Sequence, residues 1–277
     1  MSRAAPFVPV DVLVLAGSRG PGDPVAAARG TSCKATAPVA GVPMIERVLN
    51  TLRACPEVGR IAVALDAEVP VTAEAPRLAA WLAAGTVTRL DPGPGPSATV
   101  AAAFAARDES RPLLVATADH PLLTPALVEA FLAGARLSGA DAVAAVAPTK
   151  LLEAAYPGAR RTRLRFRDGG FGGCNLFALM GPGAAAALDF WQTLEGQRKR
   201  PWRMAAAIGA GTLVAYAVRR LTLDAAVARL GRRVGARLAA VRLNVAEAGK
   251  DVDSLDDLEL VESILMTREG SSGSPQA

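Results

Sequence analysis

Apolar positions along the chain form short continuous runs that alternate with segments of helical spacing. Val12–Leu15 is an apolar run followed closely by Gly17, the pattern of a strand buried on both faces. Met44–Arg53 sets Ile45, Val48, Leu49 and Leu52 on one helical face. Arg60–Leu65 and Val87–Leu90 follow as strands. Ser97 then heads the helix "SATVAAAFAAR" as a suitable N-cap. Pro112–Asp119 is the most strand-like run of all. Thr124, with Pro125 at the first helical position, opens a helix to about Leu137, and Ala140–Ala147 is a further strand.

Strands alternating with helices of about ten residues predict an α/β fold: a mainly parallel sheet with helices on both faces. Ligands of such sheets bind beyond the carboxyl ends of the strands. Three notable features fall at such ends. They are the loop beginning at Ala16 and Gly17, the "GPGPS" turn up to Ser97, and "ADHPLL" after Val115. Distant in sequence, they are expected to converge on one cleft.

After Pro148 the character changes. "GARRTRLRFRDGG" carries five arginines and leads into "GGCNLFAL", which has the look of a strand entering the core. From Phe190 to Arg242 there are eleven Lys and Arg against two acids, Glu195 and Asp224, while the whole chain is only +5. The basic charge is therefore concentrated in this stretch, read as several helices. Within it, Met204–Val218 is uncharged but shorter than the roughly 20 residues that span a bilayer; a buried helix is expected, with an interfacial segment as the alternative.

Composition narrows the chemistry. At 277 residues, 51% apolar and 21% charged, the chain suffices for one large α/β domain. The expected organisation is a single domain over 1–268, in two halves at about 10–148 and about 149–268. The basic helical elaboration occupies about 190–242, and 269–277 is a flexible tail. Three dispersed cysteines without CxxC spacing form neither a disulfide framework nor a zinc site, which suits a reducing cytoplasm. One histidine, His120, excludes His-rich metal sites. No convincing signal peptide precedes the first strand, since Asp11 interrupts the apolar run. A cytoplasmic location is expected.

The loop after the first strand decides among phosphate cradles. A P-loop ends in Gly-Lys-Ser/Thr, whereas the lysine here sits in "SCKAT". A dinucleotide fingerprint runs GxGxxG straight into a helix, whereas Gly17, Gly20 and Gly22 are spaced GxxGxG among prolines. The third possibility fits better: "LAGSRG", a later lysine at Lys34, then "PVAGVPMIERVL". Together these resemble the start of the MobA-like nucleotidyltransferases, which have the glycosyltransferase-A-like (nucleotide-diphospho-sugar transferase) fold, a three-layer Rossmann-like mixed sheet. The second half of the pattern matches closely; the first half is longer and lacks the usual "RM".

The resemblance implies a nucleotidyltransferase that consumes an NTP, releases pyrophosphate and needs Mg²⁺. It places Ala16, Gly17 and Ser18 in the nucleotide-binding loop and Lys34 on the phosphates, with either Arg19 or Arg29 as the loop arginine. Asp119 in "ATADHPLL" and Asp253 in "KDVDSLDDLEL" match the two metal-ligand positions. Their structural readings are a turn cap before Pro121 and, for Ser254 with Asp257, a capping box; Asp251 and Asp257 are read as structural. Ser97 falls where relatives contact base or ribose. His120 is either an acceptor contact or a packed core histidine, and Asn175 matches an acceptor-side asparagine. Arg161, Arg163 and Arg165 alternate, so a strand would point them to one face, either towards a phosphorylated or otherwise anionic acceptor or into water as a solvated basic strand.

The basic 190–242 region is compatible with peripheral membrane contact. Scarce aromatics and the lack of a recognition motif argue against nucleic acid. Rival readings are a nucleotide-sugar-dependent glycosyltransferase of the same fold and a catalytically silent nucleotide-binding relative.

Overall fold

The computed structural model describes residues 8–17, 22–157, 163–197, 200, 203 and 207–272. Ten strands are found: β1 (Val10–Leu15), β2 (Pro38–Val39), β3 (Val42–Pro43), β4 (Val58–Ala64), β5 (Thr88–Leu90), β6 (Leu113–Thr117), β7 (Ala142–Pro148), β8 (Leu164–Phe166), β9 (Gly169–Leu179) and β10 (Leu238–Arg242). The helices are α1 (Pro24–Arg29), α2 (Met44–Ala54), α3 (Val71–Glu74), α4 (Pro76–Ala83), α5 (Pro96–Ala106), α6 (Pro125–Ser138), α7 (Thr149–Ala155), α8 (Ala184–Gly196), α9 (Ala210–Ala217), α10 (Leu223–Val234) and α11 (Leu255–Ser272).

Eight strands make one sheet in the order β10-β7-β9-β6-β1-β4-β5, with β8 hydrogen-bonded to β9. Pairs β1–β4, β1–β6, β4–β5 and β7–β10 are parallel, while β9 runs antiparallel between β6 and β7. This is the expected mainly parallel mixed sheet. Because side chains alternate across a strand, Val12 and Val14 of β1 pack on one face against α2 and α6, through Ile45, Leu49, Val128 and Phe131. Leu13 packs on the other face against Val100 and Phe104 of α5 and Leu188 of α8. Each such fully buried side chain is worth about 1.5–3 kcal/mol, so the core holds these helices in place.

Asp11, the acid inside β1, is buried but paired. Its carboxylate accepts from the backbone N–H of Arg60 at 3.0 Å and from the Arg111 guanidinium at 3.0 Å. A third apolar cluster joins Val25 of α1, Val39 and Met44 to Val252, Leu258, Val261 and Leu265 at the start of and along α11. "PVAGVP" is a β2–β3 hairpin whose two turn residues, Ala40 and Gly41, both have positive φ, as a two-residue hairpin requires. This cluster carries the C-terminal helix back to the first loop.

Two sequence expectations are corrected. Helix α5 begins at Pro96 with Gly95 as its N-cap, so Ser97 lies inside the first turn, buried, and caps nothing with its side chain. The described part of the uncharged stretch Met204–Val218 is not a buried helix: neither Ala207 nor Ile208 nor any residue of α9 is buried. Thr124 does cap α6, accepting from the N–H of Leu127 at 3.3 Å, and Asp257 and Ser254 form the expected capping box.

Candidate active site

The carboxyl ends of β1, β4 and β6 open into a cleft of about 1560 Å³. It is lined by Leu15 and Gly17 after β1, Asp66 after β4, Pro92–Thr99 around the start of α5, Thr117 and Asp119 at the end of β6, and Asn175 of β9. Lys34, Asp251 and Asp253 complete its floor, while Gln192, Glu195 and Gly196 of α8 and then Arg200 form a wall. Pockets for a drug-sized ligand run to roughly 300–1,000 Å³, so this cleft exceeds what one such ligand needs.

Lys34 sits at the centre. It begins a 3₁₀ turn, Lys34–Thr36, which is held from outside by Glu74: that carboxylate accepts from the Ser32 N–H at 2.8 Å and from the Thr36 hydroxyl at 2.5 Å. The Lys34 Nζ donates to Asp119 Oδ2 at 2.7 Å, to Asp253 Oδ1 at 2.9 Å and to the Val252 carbonyl at 3.0 Å. Burial alone would lower the pKa of this ammonium, but the carboxylates of Asp119 and Asp253 outweigh it and raise it. For Asp119 burial pushes upward, and Lys34 with the Thr117 hydroxyl more than offsets it, so its carboxyl lies below the usual range. Both groups are therefore charged at neutral pH.

Two segments far apart in sequence are stitched together here. The N–H of Val252 donates to the Asp119 carbonyl at 2.9 Å, and His120 Nε2 meets the Glu247 carbonyl at 3.0 Å. Asp119 Oδ2 and Asp253 Oδ1 both contact one Nζ, so the two carboxylates converge on a single cationic point. That suits two ligands of one hard cation, whose other positions would be filled by substrate oxygens and water, as Mg²⁺ prefers. No cluster of three or more His, Cys, Asp or Glu side chains fit to hold a metal occurs among the described residues, so these two carboxylates could not form an all-protein cage.

Other sequence candidates fall in several places. Gly17 and Ser97 line the cleft; Ala16 is buried behind it, its carbonyl accepting from the Cys33 thiol. Ser18, Arg19 and Arg161 lie outside the described residues. Arg29 does not line the cleft, because its guanidinium is paired with Glu262 of α11 at 2.6 Å. Arg163 is likewise engaged by Glu153 at 2.6 Å, so no described member of the arginine row enters the cleft.

His120 is 2% exposed and faces the Glu247 backbone rather than the cleft. His120→Ala is expected to cost about 1–3 kcal/mol of stability in urea denaturation by orphaning a buried partner, with acceptor KM unchanged. A raised KM with unchanged stability would return His120 to the acceptor site.

Asn175 does reach the cleft. It lies inside β9 with φ +53, where the β7–β9 register shifts between Ala144 and Val146. Such a bulge re-aims a side chain, and Asn tolerates the left-handed region better than most residues. Its Nδ2 donates to Asp251 Oδ2 at 2.7 Å. Asp251, expected to be structural, is thus a cleft residue. Asp66, Gln192, Glu195 and Arg200 are further lining residues that sequence reasoning missed. Asp66 follows a parallel strand, and the carboxyl-end rule applied to β4 would have found it. Glu195 accepts from the Ser97 N–H at 3.0 Å across the cleft, a contact that no local pattern signals.

The profile of the MobA-like NTP transferase domain matches residues 12–168, more than half of the chain. The chain belongs to the MobA-like NTP transferase family. Among solved structures it is similar to a hypothetical transferase from Thermus thermophilus at 30% identity, with a TM-score of 0.72 over 90% of this chain and 99% of that one. It also shares the fold of 4-diphosphocytidyl-2C-methyl-D-erythritol synthase from Anaerococcus prevotii, at 10% identity and a TM-score of 0.54 over 94% and 97% of the two chains. CMP:2-keto-3-deoxy-manno-octonic acid synthetase, solved with CTP, shares it at 15% identity and a TM-score of 0.54 over 94% and 98%. Among curated proteins no significant sequence match is found. As a MobA-like NTP transferase, the chain combines a first half that matches the family profile with a cleft wall built from α8 and Arg200.

Proposed function

We propose that the protein transfers an NMP group from an NTP to a phosphorylated small-molecule acceptor, releasing pyrophosphate, with Mg²⁺ as the metal. The observation that carries this reading is the Lys34 ammonium held between Asp119 and Asp253 on the floor of the large cleft. The described lining holds six carboxylates (Asp23, Asp66, Asp119, Glu195, Asp251, Asp253) against two cations, Lys34 and Arg200. A triphosphate entering such a surface needs added positive charge, which favours a divalent cation as co-substrate. Bound by Asp119 and Asp253, Mg²⁺ would neutralise phosphate charge and polarise the reacting phosphoryl group.

An acceptor phosphate oxygen attacks the α-phosphorus while the bond to the β-phosphate oxygen breaks, and pyrophosphate carries away the electron pair. Lys34 offsets the charge developing on the leaving group. No general base is needed, because the nucleophile is already an oxyanion that the cleft only has to orient. Gly17 and the turn up to Ser97 hold the nucleotide, Asn175 orients the acceptor with Asp251, and Arg200 meets the acceptor's anionic group.

The test is to incubate the protein with each NTP, Mg²⁺ and a panel of phosphorylated acceptors, and to measure pyrophosphate. Release that requires NTP, acceptor and metal together is expected, with loss on chelation by EDTA and recovery on adding Mg²⁺. Release that persists in EDTA would overturn the metal's role. Transfer from a nucleotide sugar in place of an NTP would move the protein to the glycosyltransferase reading.

A further inference from the structure

Helix α9, Ala210–Ala217, has the sequence AGTLVAYA and carries no charge. Its inner side is anchored: the Tyr216 hydroxyl accepts from the Arg165 N–H at 3.1 Å, and the Tyr216 ring packs edge-on against Phe166 at 5.3 Å. The outer side is the anomaly. Ala210, Gly211, Val214, Ala217 and, just beyond the helix, Val218 are the exposed positions, spaced as one stripe, and all are apolar. Val214 is 63% exposed and Val218 58%. A helix apolar on both sides is ordinarily buried on both; here the described residues half-bury one side and leave the other exposed.

Arginines bracket that stripe. Arg219 and Arg220, both exposed, follow its carboxyl end. At its amino end, Arg229, Arg232 and Arg233 of α10 line a hollow of about 530 Å³ together with Ile208–Thr212, which lead into and open α9. Guanidinium groups around one hollow suit an anionic phosphate group. Between residues 203 and 235 the sequence holds a single acid, Asp224, and its carboxylate is already paired with Arg242 at 3.0 Å. Arg232 and Arg233 also suit the last turn of α10, where cations complement the helix dipole. That accounts for their position along α10 but not for an apolar stripe left in solvent beside them.

We propose that the outer stripe of α9 and the arginines around it form a peripheral docking surface for an anionic lipid bilayer. The apolar stripe enters the headgroup boundary while the arginines meet lipid phosphates, the arrangement of an interfacial helix. No described helix is long and apolar enough to cross a membrane, so the contact is superficial. A second copy of the chain is a poor occupant, because a two-fold contact would set these arginines against one another. The proposal stands independently of the nucleotidyl-transfer reading.

The test is co-sedimentation of the full chain with phosphatidylcholine vesicles, with and without about a third of phosphatidylglycerol, at low and high salt. Binding is expected only to the anionic vesicles and is lost in high salt, because the surface charges are screened. The triple variant Arg229→Ala/Arg232→Ala/Arg233→Ala is expected to lower the partition coefficient about 100-fold, roughly fivefold per basic residue. Val214→Asp lowers it roughly tenfold or more by removing apolar insertion. These residues are exposed, so thermal melts should match the parent. Equal binding to neutral vesicles, unchanged binding by both variants, or no binding at low salt accompanied by a dimer on gel filtration would each overturn the proposal.

Discussion

Lys34→Ala is expected to cut pyrophosphate release by about 10²–10³-fold, the usual cost of removing one group aimed at developing negative charge. The loss should fall mainly on kcat. The lysine is also a structural clamp, since its Nζ joins Asp119, Asp253 and the Val252 carbonyl. Removing it leaves two carboxylates facing each other with no cation between them, and binding of Mn²⁺ without nucleotide should tighten. Asp119→Ala should lower turnover comparably, and the double variant should be little worse than either single one, because groups that act as a unit are non-additive. More than a tenth of the parental rate in Lys34→Ala, with an unchanged circular dichroism spectrum, would remove the lysine from the reaction.

Asp257→Ala is the substitution expected to be most damaging to the fold, at about 3–5 kcal/mol in urea denaturation. Lys250 is 1% exposed and its ammonium is bonded to Asp257 Oδ1, so losing the partner leaves a buried charge uncompensated. The same carboxylate accepts from the Ser254 hydroxyl at 2.7 Å and the Asp253 N–H at 3.2 Å. Its loss therefore also loosens the segment that presents Asp253. Lys250→Met, which removes the buried charge instead, should cost clearly less, because Asp257 keeps some contact with water. Equal costs for the two variants would refute the burial argument.

Acid behaviour follows from the same contacts. Burial raises the pKa of Asp257, but the bonds from Lys250 and Ser254 lower it by more, so its carboxyl lies below the ordinary value. Asp119 is depressed in the same sense. Groups whose folded pKa is depressed add stability that is fully present above their unfolded pKa, near 3.9 for Asp. That stability is lost as pH falls from there through the folded values.

The amino-acid sequence by itself determined the alternation of strands and helices, because a strand buried on both faces and a helix with one apolar stripe leave different periods in the chain. It also determined which residue types could meet phosphate. Lys34 with "PVAGVPM", Asp119 at a strand end and Asp253 before the last helix are local patterns, each legible within a dozen residues. Tertiary structure decided what those residues meet. Arg29 and Arg163 are further cationic candidates in the sequence, but Glu262 and Glu153 engage them elsewhere. His120 adjoins Asp119 in the chain yet points to a backbone carbonyl in the interior. Asn175, Glu195 and Arg200 enter the cleft only because a bulge in β9, helix α8 and the segment after it converge there. Met204–Val218 carries the composition of a buried helix, and no local pattern tells how much of it the fold leaves uncovered. Periodicity encodes which face of an element is apolar; the partner of that face, or of a charge, is set by segments tens to hundreds of residues away.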